Sequence, residues 1–387
     1  MEHDVAVDRN ADSTKPVLWM AMELSLSKWK LGFSDGSARA ARVVTIEARD
    51  YAALEQQIAS AKRAFKLDET SVVRSLYEAG REGFSVHRRL EQMAVENMIV
   101  DPASLEVSRH ARRAKSDTLD VESLLRHLMA YGANRGRLAI VRVPKPEDEA
   151  RRQLDREIEA LQKERGVHTK RIQSLLFAQG IAMVVKATSL DTLETLRTAD
   201  GRALPQELIA RIGRERRRLE LVQEQIQQLE KERETQIVHG TGKSAERMRI
   251  LMSLCGIGWT GSFRLVVEFF GWRTFQNRRQ VAQAAGLAAS PYASGTMDRE
   301  QGISKAGNRR VRALMIELAW FWLRWQPDSE LAKWYARRFG DHRRARRIGI
   351  VAVARRLLID LWRFVSSGVV PRGAKLKPKR PTPVASV

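Results

Sequence analysis

A proline-marked junction divides this sequence into two halves with different hydrophobic patterns, and this division limits the folds that the chain can adopt. The junction reads VPKPEDEA at 143–150. Before it, apolar runs such as VLWMAMELSL and ARVVTIEA lie between turn signals, as is typical of β-strands. After it, the chain is rich in Glu, Gln, Arg, Lys and Leu, which favours helices. We therefore expect an α/β domain followed by all-α regions.

The first domain is predicted to span residues 1–145 and to contain a mixed sheet. Its pattern indicates three strands over 17–46, then a helix, a strand in SVVRSLYEAG, a helix ending at Leu90, a short strand NMIV, and a helix from Asp117 to Tyr131. Strands that alternate with helices in this way form sheets covered by helices.

Three further segments are predicted after the junction. In residues 146–245, apolar residues at heptad-like spacing predict two long helices that pair as an antiparallel hairpin or as a dimeric coiled coil. They are Leu154, Ile158, Leu161, Leu219, Val222, Ile226 and Leu229. Residues 246–366 are expected to be helical, with Ser304 as the N-cap of a helix over 305–325. The Pro- and Lys-rich residues 367–387 are predicted to be a basic disordered tail.

The charge of the chain favours a polyanionic partner. Its 387 residues include 68 Lys and Arg against 46 Asp and Glu, which gives a net charge of +22. Nucleic acid is the commonest partner of so basic a protein, and an anionic membrane surface is the alternative. No apolar run is long enough to span a bilayer. The single cysteine, Cys255, excludes an intrachain disulfide and a Cys-rich zinc site. The polar N-terminus is unlike a signal peptide, so we expect a cytoplasmic protein.

Four carboxylates stand at predicted strand ends or helix starts. Glu23 lies in the first strand, Glu78 ends the fourth, and Asp117 and Asp120 share a face of the helix that follows. Carboxylates that converge on one sheet edge suit Mg²⁺, a hard cation that prefers oxygen ligands and that, in pairs, clamps a phosphodiester. The alternative is structural, because acids also stabilise a helix start and Glu78 is also a plausible turn residue.

Two glycine-containing motifs in the second half are candidate phosphate contacts. In LCGIGWTG, Gly256 and Gly258 form a turn between helices whose backbone N–H groups can hold a phosphate, or a tight turn without a ligand. In PYASGTM, Ser294 precedes a glycine. An exposed serine beside cations is a candidate nucleophile, while Ser-Gly is also a frequent turn dipeptide.

Basic residues follow this serine in two clusters that are expected to bind nucleic acid. A solvated helix face is the alternative explanation. The candidates are Lys305, Arg309, Arg310 and Arg312 in the first cluster and Arg343, Arg344, Arg346 and Arg347 in the second. The tryptophans Trp320, Trp322, Trp325 and Trp334 lie at helical spacing and are interpreted as core or interface residues.

Four segments together resemble the insertion-sequence DEDD transposases, also called the "IS one-ten" family or bridge-RNA-guided recombinases. The segments are AMELSLSKWKLGF, LYEAGREGFSVHRRL, RRAKSDTLDVESLLRHL and GLAASPYASGTMDREQGISKAGNRRVRALM. The last two are specific, because they combine fixed residues over long spans. The resemblance covers about residues 15 to 365.

The resemblance implies a RuvC-like, ribonuclease-H-type N-terminal domain, a coiled-coil insertion and a C-terminal transposase domain. It implies that Glu23, Glu78, Asp117 and Asp120 form an acidic tetrad that binds Mg²⁺, with glutamate at Glu23 where the family usually has aspartate. It implies that Ser294 attacks DNA and forms a covalent phosphoserine link. It also implies a noncoding guide RNA, the bridge RNA, that pairs with donor and target DNA, and a nucleoid-associated prokaryotic protein.

The length of the predicted coiled coil and the logic of strand exchange favour a dimer that assembles into a tetramer on nucleic acid. Two other functions stay open at this point. One is a Holliday-junction-type nuclease in which the tetrad and metal-activated water cut DNA and Ser294 is structural. The other is a non-catalytic nucleic-acid-binding scaffold whose acids cap helices.

Overall fold

The computed structural model of the chain describes residues 16–37, 39–102, 105, 117–136, 138–183, 193–294, 297–340 and 343–378. The description does not extend to the side chains of Asp117, of residues 290–294 and 297–301, or of Arg343 and Arg344. The chain divides into two compact units, Met1–Val143 and Pro144–Val387. None of the helices in these ranges combines the length and the apolar character that a bilayer-spanning segment needs.

A five-stranded mixed sheet forms the centre of the first unit. The strands are β1 (Val17–Leu24), β2 (Lys28–Ser34), β3 (Arg42–Glu47), β4 (Val72–Glu78) and β5 (Val95–Val100). Their order in the sheet is β3-β2-β1-β4-β5. The first three strands are antiparallel neighbours, whereas β4 is parallel to β1 and β5 is parallel to β4. Helices cover both faces of β1, and its sequence is therefore apolar on both faces.

Alternate residues of the strands pack on opposite layers of helix. Met20 and its neighbours on one face pack with α1 (Tyr51–Ala64) and α2 (Ser85–Gln92). Ala21 and Leu76 on the other face pack with α3 (Asp117–Gly132). The α3 stripe of Val121, Leu124, Leu125 and Leu128 repeats every three to four residues, which is the period of an amphipathic helix. The predicted helix at Asp117 is therefore confirmed.

Two long helices begin the second unit and pair antiparallel within the chain. They are α4 (Pro146–Phe177) and α5 (Gln206–Val238), with a short 3₁₀ turn at Leu193–Thr195 between them. Leu176, at the end of α4, shares a buried cluster with Ile212 at the start of α5. Leu154 and Ile158, near the start of α4, share another with Ile237 at the end of α5. This is the first of the two predicted pairings.

A helical body with one β-hairpin follows. Its elements are α6 (Gly242–Met252), α7 (Trp259–Leu265), a π-helical turn (Val266–Phe270), α8 (Arg278–Ala284), β6 (Ala289–Ser294), β7 (Met297–Ile303), α9 (Arg309–Trp325), α10 (Glu330–Phe339) and α11 (Arg343–Ser367). The core lies between α9, α11 and the α6–α7 region. Trp322 is buried in this core and Trp334 packs at its margin, but Trp320 and Trp325 are about half exposed and lie outside it.

The start of α9 differs from the prediction. The helix begins at Arg309, and its N-cap is Asn308, whose side chain accepts hydrogen bonds from the N–H groups of Arg310 and Val311. Ser304 is therefore not the cap. Lys305 and Gly307 have φ angles of 57° and 123°, and a right-handed helix cannot pass through such residues.

Residues 371–377, which lie in the predicted disordered tail, pack on the helical body instead. Leu376 forms a β-bridge with Leu254. The Cys255 N–H donates to Lys375 O, and the Lys377 N–H donates to Ser253 O. Gln326, at the end of α9, donates its side-chain amide to the carbonyls of Cys255 and Lys375. Residues 371–377 therefore join the α6–α7 turn to the end of α9. We call this segment the C-terminal clasp.

Candidate functional site

The sheet of the first unit brings two of the four predicted carboxylates together. In the parallel register Met22 is opposite Tyr77, so Glu23 and Glu78, the next residues along β1 and β4, lie at the same level near the carboxyl ends of these strands. Both are half-buried and line one surface cavity of about 500 Å³. The carboxyl ends of neighbouring parallel strands therefore present two carboxylates to one space, as the sequence predicts. We call this place the carboxylate edge.

The first turn of α3 lies at the carboxylate edge as well. Thr118 Oγ1 accepts a hydrogen bond of 2.9 Å from the Lys30 Nζ of β2, and Lys30 is directly opposite Glu23 in the sheet. One turn further, Val121 packs so closely over Gly32 that a Cβ at that position would overlap its Cγ1. The helix thus starts beside Lys30 and Glu23. Asp120, which is half-buried, belongs to this first turn, and Asp117 begins it.

The donor chemistry of the edge suits a hard divalent cation, because Glu23, Glu78 and Asp120 all offer carboxylate oxygens. Among the side chains that the structure describes, no group of three His, Cys, Asp or Glu residues is arranged to hold a metal ion. The Asp117 side chain is not among them. A third acid that lines the cavity, Glu82, forms an ion pair with Arg49 at 2.6 Å.

Ser294 ends the first strand of the hairpin in the second unit. It pairs with Met297 across the tip, and the residues between them, Gly295 and Thr296, lie outside the described residues. The prediction of Ser294 as a nucleophile concerns a side chain that is also outside the description. The backbone places this serine at the end of a two-stranded arm and not in a helix or in a core strand.

The first predicted basic cluster has divided roles. Lys305 and Arg309 are exposed. Arg310 forms an ion pair with Glu159 of α4, and burial together with nearby Arg156 lowers the pKa of its guanidinium.

Arg312 donates to the carbonyl oxygens of Lys305 and Ala285 and so joins two loops. The structure thus gives Arg310 and Arg312 internal partners that the sequence did not reveal.

The second cluster is divided in the same way. Arg346 donates through Nε and Nη2 to the carbonyl oxygen of Gly340, which ends α10. Arg347 is exposed and lines a large cavity. Arg343 and Arg344 begin α11, and their side chains lie outside the described residues.

Gly256 and Gly258 form the predicted turn between α6 and α7. Gly256 has a φ of 87°, which only glycine adopts readily, and a Cβ at this position would lie 3.3 Å from Trp325 Cβ and 3.4 Å from the Phe321 carbonyl oxygen of α9. The C-terminal clasp lies along this turn, and Lys377 Nζ donates to Ile257 O at 2.6 Å. A phosphate contact of this turn stays a prediction.

A cavity of 1130 Å³ beside the hairpin brings cations of α8, α10 and α11 together with Lys305, a grouping that the sequence did not reveal. Its described lining includes seven cations and no carboxylate: Arg278, Arg279, Lys305, Arg338, Arg347, Arg355 and Arg356. We call it the basic cavity. A signal was present in the sequence, because Arg347, Val351 and Arg355 recur at four-residue steps and therefore share one face of α11.

Comparison with known proteins gives a consistent result. Residues 248–335 match the family model described as "Transposase IS116/IS110/IS902 family", a range that includes the β6–β7 hairpin. The chain is 41% identical over 376 residues to y4rJ of Sinorhizobium fredii, which is named a transposase, and the match covers 93% of this chain and 94% of that protein.

Two more distant relatives agree. One is y4qE of the same organism, also named a transposase, with 27% identity over 75% of this chain and 69% of that protein. The other is the transposase for insertion sequence element IS1328 of Yersinia enterocolitica, with 24% identity over 73% of this chain and 80% of that protein. On the strength of the match to y4rJ over nearly the whole of both chains, and of the family model across the hairpin, this chain belongs to the IS116/IS110/IS902 family of transposases.

Proposed function

We propose that this transposase cuts and rejoins DNA through a covalent link to Ser294, with Mg²⁺ bound at the carboxylate edge. The observation that carries the proposal is the convergence of Glu23, Glu78 and the first turn of α3 at one end of the sheet. The strand order β3-β2-β1-β4-β5 agrees with the ribonuclease-H-type domain that the family resemblance implies.

The residues that would hold Mg²⁺ are Glu23, Glu78, Asp120 and Asp117. When bound, the ion would polarise a phosphodiester oxygen and offset the charge that develops on it. The Ser294 Oγ then attacks phosphorus, so that an Oγ–P bond forms and the bond from phosphorus to one deoxyribose oxygen breaks. The serine proton passes to a base and the departing oxygen gains a proton. A hydroxyl of the second DNA strand reverses these steps and releases the serine.

The exposed cations near the hairpin would bind the phosphate that Ser294 attacks. Lys305 and Arg309 follow β7 closely in sequence and are exposed, so they are suited to hold a phosphate of the attacked strand. The net charge of +22 is suited to a complex that contains DNA and a noncoding guide RNA. We propose that this RNA pairs with donor and target DNA, and that the protein acts as a dimer that assembles into a tetramer.

Replacement of Ser294 tests the proposal directly. Ser294→Ala is expected to abolish both the covalent protein–DNA adduct and the rejoined product, while RNA binding persists. The readouts are a denaturing gel for the adduct and sequencing of joined DNA ends. Ser304→Ala is the matched control, because Ser304 is exposed, lies at the end of the same hairpin and is not a helix cap. Normal joining by Ser294→Ala would overturn the proposal.

A metal-dependent nuclease is the second candidate, because the carboxylate edge is built within the first unit alone. That function predicts hydrolysed DNA with unjoined ends from the wild type and from Ser294→Ala alike. Asp120→Asn distinguishes the two enzymatic functions from a non-catalytic nucleic-acid-binding scaffold. Loss of cleavage excludes the scaffold, whereas unchanged activity without any requirement for Mg²⁺ supports it.

A further inference from the structure

The basic cavity differs from the other basic surfaces of the second unit in how its charges are partnered. None of its seven cations forms an ion pair with a carboxylate among the described residues. By contrast, Arg156, Arg264 and Arg310 in the same unit each pair with an acid. Cations gathered in one concave space without acids repel one another, and they concentrate the field that attracts an anion.

The adjoining cavity is lined by two acids, Glu330 and Asp360, against five arginines. Asp360 lines a neighbouring space of about 630 Å³ that shares Arg278, Trp334 and Arg356 with the basic cavity. Burial raises the pKa of the Asp360 carboxyl, although Arg363 and Arg356 oppose the shift. The field around the shared residues is therefore strongly positive.

One arginine of the cavity is already held in place. The Arg356 guanidinium lies 3.7 Å from the centre of the Trp334 ring, and this cation–π contact restricts the orientations of its N–H groups. An oriented guanidinium loses less entropy when it binds a phosphate than an unrestrained one. The stacked pair therefore prepares the cavity for an anionic ligand.

The remainder of the lining is apolar and suits unpaired bases. Leu287, Ile303, Phe339, Val351 and Ile359 lie among the cations. Paired bases in a duplex are stacked inside the helix, whereas unpaired bases expose flat apolar faces that such surfaces cover. The volume of 1130 Å³ is slightly above the roughly 300–1,000 Å³ of small-molecule sites. It is far smaller than one turn of duplex, which is about 34 Å long.

The position of the cavity links it to Ser294. Its lining includes Ala289 of β6 together with Gly302 and Ile303 of β7, which form the base of the hairpin. Ser294 is the last residue of the same β6 strand, five residues from Ala289, and therefore about 17 Å away along an extended strand. A strand seated in the cavity would lie within a few nucleotides of that serine.

We propose that the basic cavity binds a single-stranded segment of nucleic acid beside the reacting serine. The proposal rests on the proposed function, since it assigns the cavity to the strand that is unpaired during exchange. The segment comes either from the DNA that is being exchanged or from the guide RNA. Both present phosphates and unpaired bases, and the experiment distinguishes them.

The test measures fluorescence anisotropy of three labelled probes on the full-length Ser294→Ala protein, in which no joining occurs. The probes are a 12-nucleotide single-stranded DNA, an RNA of the same sequence and the corresponding DNA duplex. The variant is Arg355→Gln/Arg356→Gln. The matched control is Arg214→Gln/Arg217→Gln, which removes the same charge from exposed positions on α5.

We expect the cavity variant to weaken single-strand binding about tenfold or more, and to reduce the salt slope by about 1.4, because each phosphate contact of a single strand contributes about 0.7. Duplex binding should change less than about threefold, as should all three probes with the control. A selective loss for DNA or for RNA identifies the strand. If the variant does not fold, as judged by thermal unfolding, Arg278→Gln/Arg279→Gln on exposed α8 positions takes its place.

Three results would overturn the proposal: equal loss for single strand and duplex, equal loss in the cavity and control variants, or unchanged single-strand binding. None of these results bears on whether Ser294 forms an adduct, so failure of this inference and failure of the proposed function are separate observations.

Discussion

The carboxylate edge and the basic cavity gather charge in different ways. At the edge, sheet topology brings the acids together, because β1 and β4 are parallel neighbours that carry Glu23 and Glu78 at the same level near their carboxyl ends. In the cavity, arginines from α8, α10 and α11 meet only because the helices pack around a common core. The acids are few and fixed by backbone register, whereas the cations are many and depend on side-chain partners.

The difference shows that the number of arginines is a poor guide to binding. Arg310, Arg312 and Arg346 stand in the basic clusters of the sequence but contact Glu159, Lys305 O and Gly340 O. Arg278 and Arg279 were not predicted and line the cavity. Only the fold separates cations that hold the protein together from cations that face a partner.

The largest effect should come from breaking a buried ion pair that joins α4 to the body. Glu268 is 1% exposed and accepts two hydrogen bonds from Arg156. Glu268→Ala should lower the free energy of unfolding by about 3 kcal/mol, the low end of the ~3–5 kcal/mol for a broken buried pair, because Arg156 stays partly in water. Urea unfolding measures the change.

The control for this pair is Glu220→Ala, which removes an acid from the exposed Arg216–Glu220 pair on α5. It should cost about 0.5 kcal/mol or less. Equal destabilisation by both substitutions would mean that the internal pairs of the second unit are no more important than surface pairs.

The next effect tests whether the carboxylate edge depends on close docking of α3. Gly32→Ala places a methyl group in the space of Val121 Cγ1 and should cost about 1–3 kcal/mol. If Mg²⁺ binds at the carboxylate edge as proposed, the substitution should also diminish the stabilisation by that ion, since the first turn of α3 moves away from Glu23. Thermal unfolding with and without Mg²⁺ measures both quantities.

Gly166→Ala is the matched control, because Gly166 lies in α4 and a Cβ there meets nothing within 4 Å. It should stabilise the protein by about 0.5–1 kcal/mol through helix propensity. If Gly32→Ala stabilises the protein as well, the close packing of α3 on β2 is not what positions the edge.

A smaller effect concerns the polar contact within the α4–α5 pair. His168 Nδ1 lies 2.6 Å from Glu215 Oε2, and this hydrogen bond, assisted by Arg218 and Arg171, lowers the pKa of the Glu215 carboxyl. A lowered pKa contributes stability above the ordinary value of 4.5, and that contribution is lost as the pH falls through the lowered value. Glu215→Gln should therefore cost about 1 kcal/mol at pH 7.

The stabilities of the wild type and Glu215→Gln should converge below pH 4.5, as followed by urea unfolding at pH 7, 5 and 3. Glu224→Gln, at an exposed position of the same helix, should differ little from the wild type at any pH. A constant difference between Glu215→Gln and the wild type across this range would exclude the pKa of Glu215 as its source.

The smallest effect separates two neighbouring arginines. Arg309→Gln should reduce the slope of log affinity for duplex DNA against log salt by about 0.9, one phosphate contact. Arg310→Gln should leave the slope unchanged and lower stability, since Arg310 is paired with Glu159. Salt titrations of DNA binding by both variants measure these slopes. A reduced slope for Arg310→Gln alone would reverse the assignment of these two side chains.

The sequence predicted what depends on local pattern. Alternating apolar residues and turn signals predicted the mixed α/β unit, and the strand-end positions of Glu23 and Glu78 followed from it. It did not predict which cations form ion pairs within the protein, because their partners are distant in sequence. Arg310 and Glu159 are 151 residues apart, and Arg156 and Glu268 are 112 residues apart. The cap at Asn308 was missed because the turn through Gly307 delays the helix beyond Ser304.

The C-terminal clasp has a consequence for the order of folding. Its bond from Lys377 to Ile257 spans 120 residues, and contacts between such distant positions form late, after local helices have appeared. The α6–α7 turn forms its full set of hydrogen bonds only when the C-terminal clasp packs against it. A chain stalled before residue 375 would leave the Cys255 N–H and the Gln326 side chain without these partners.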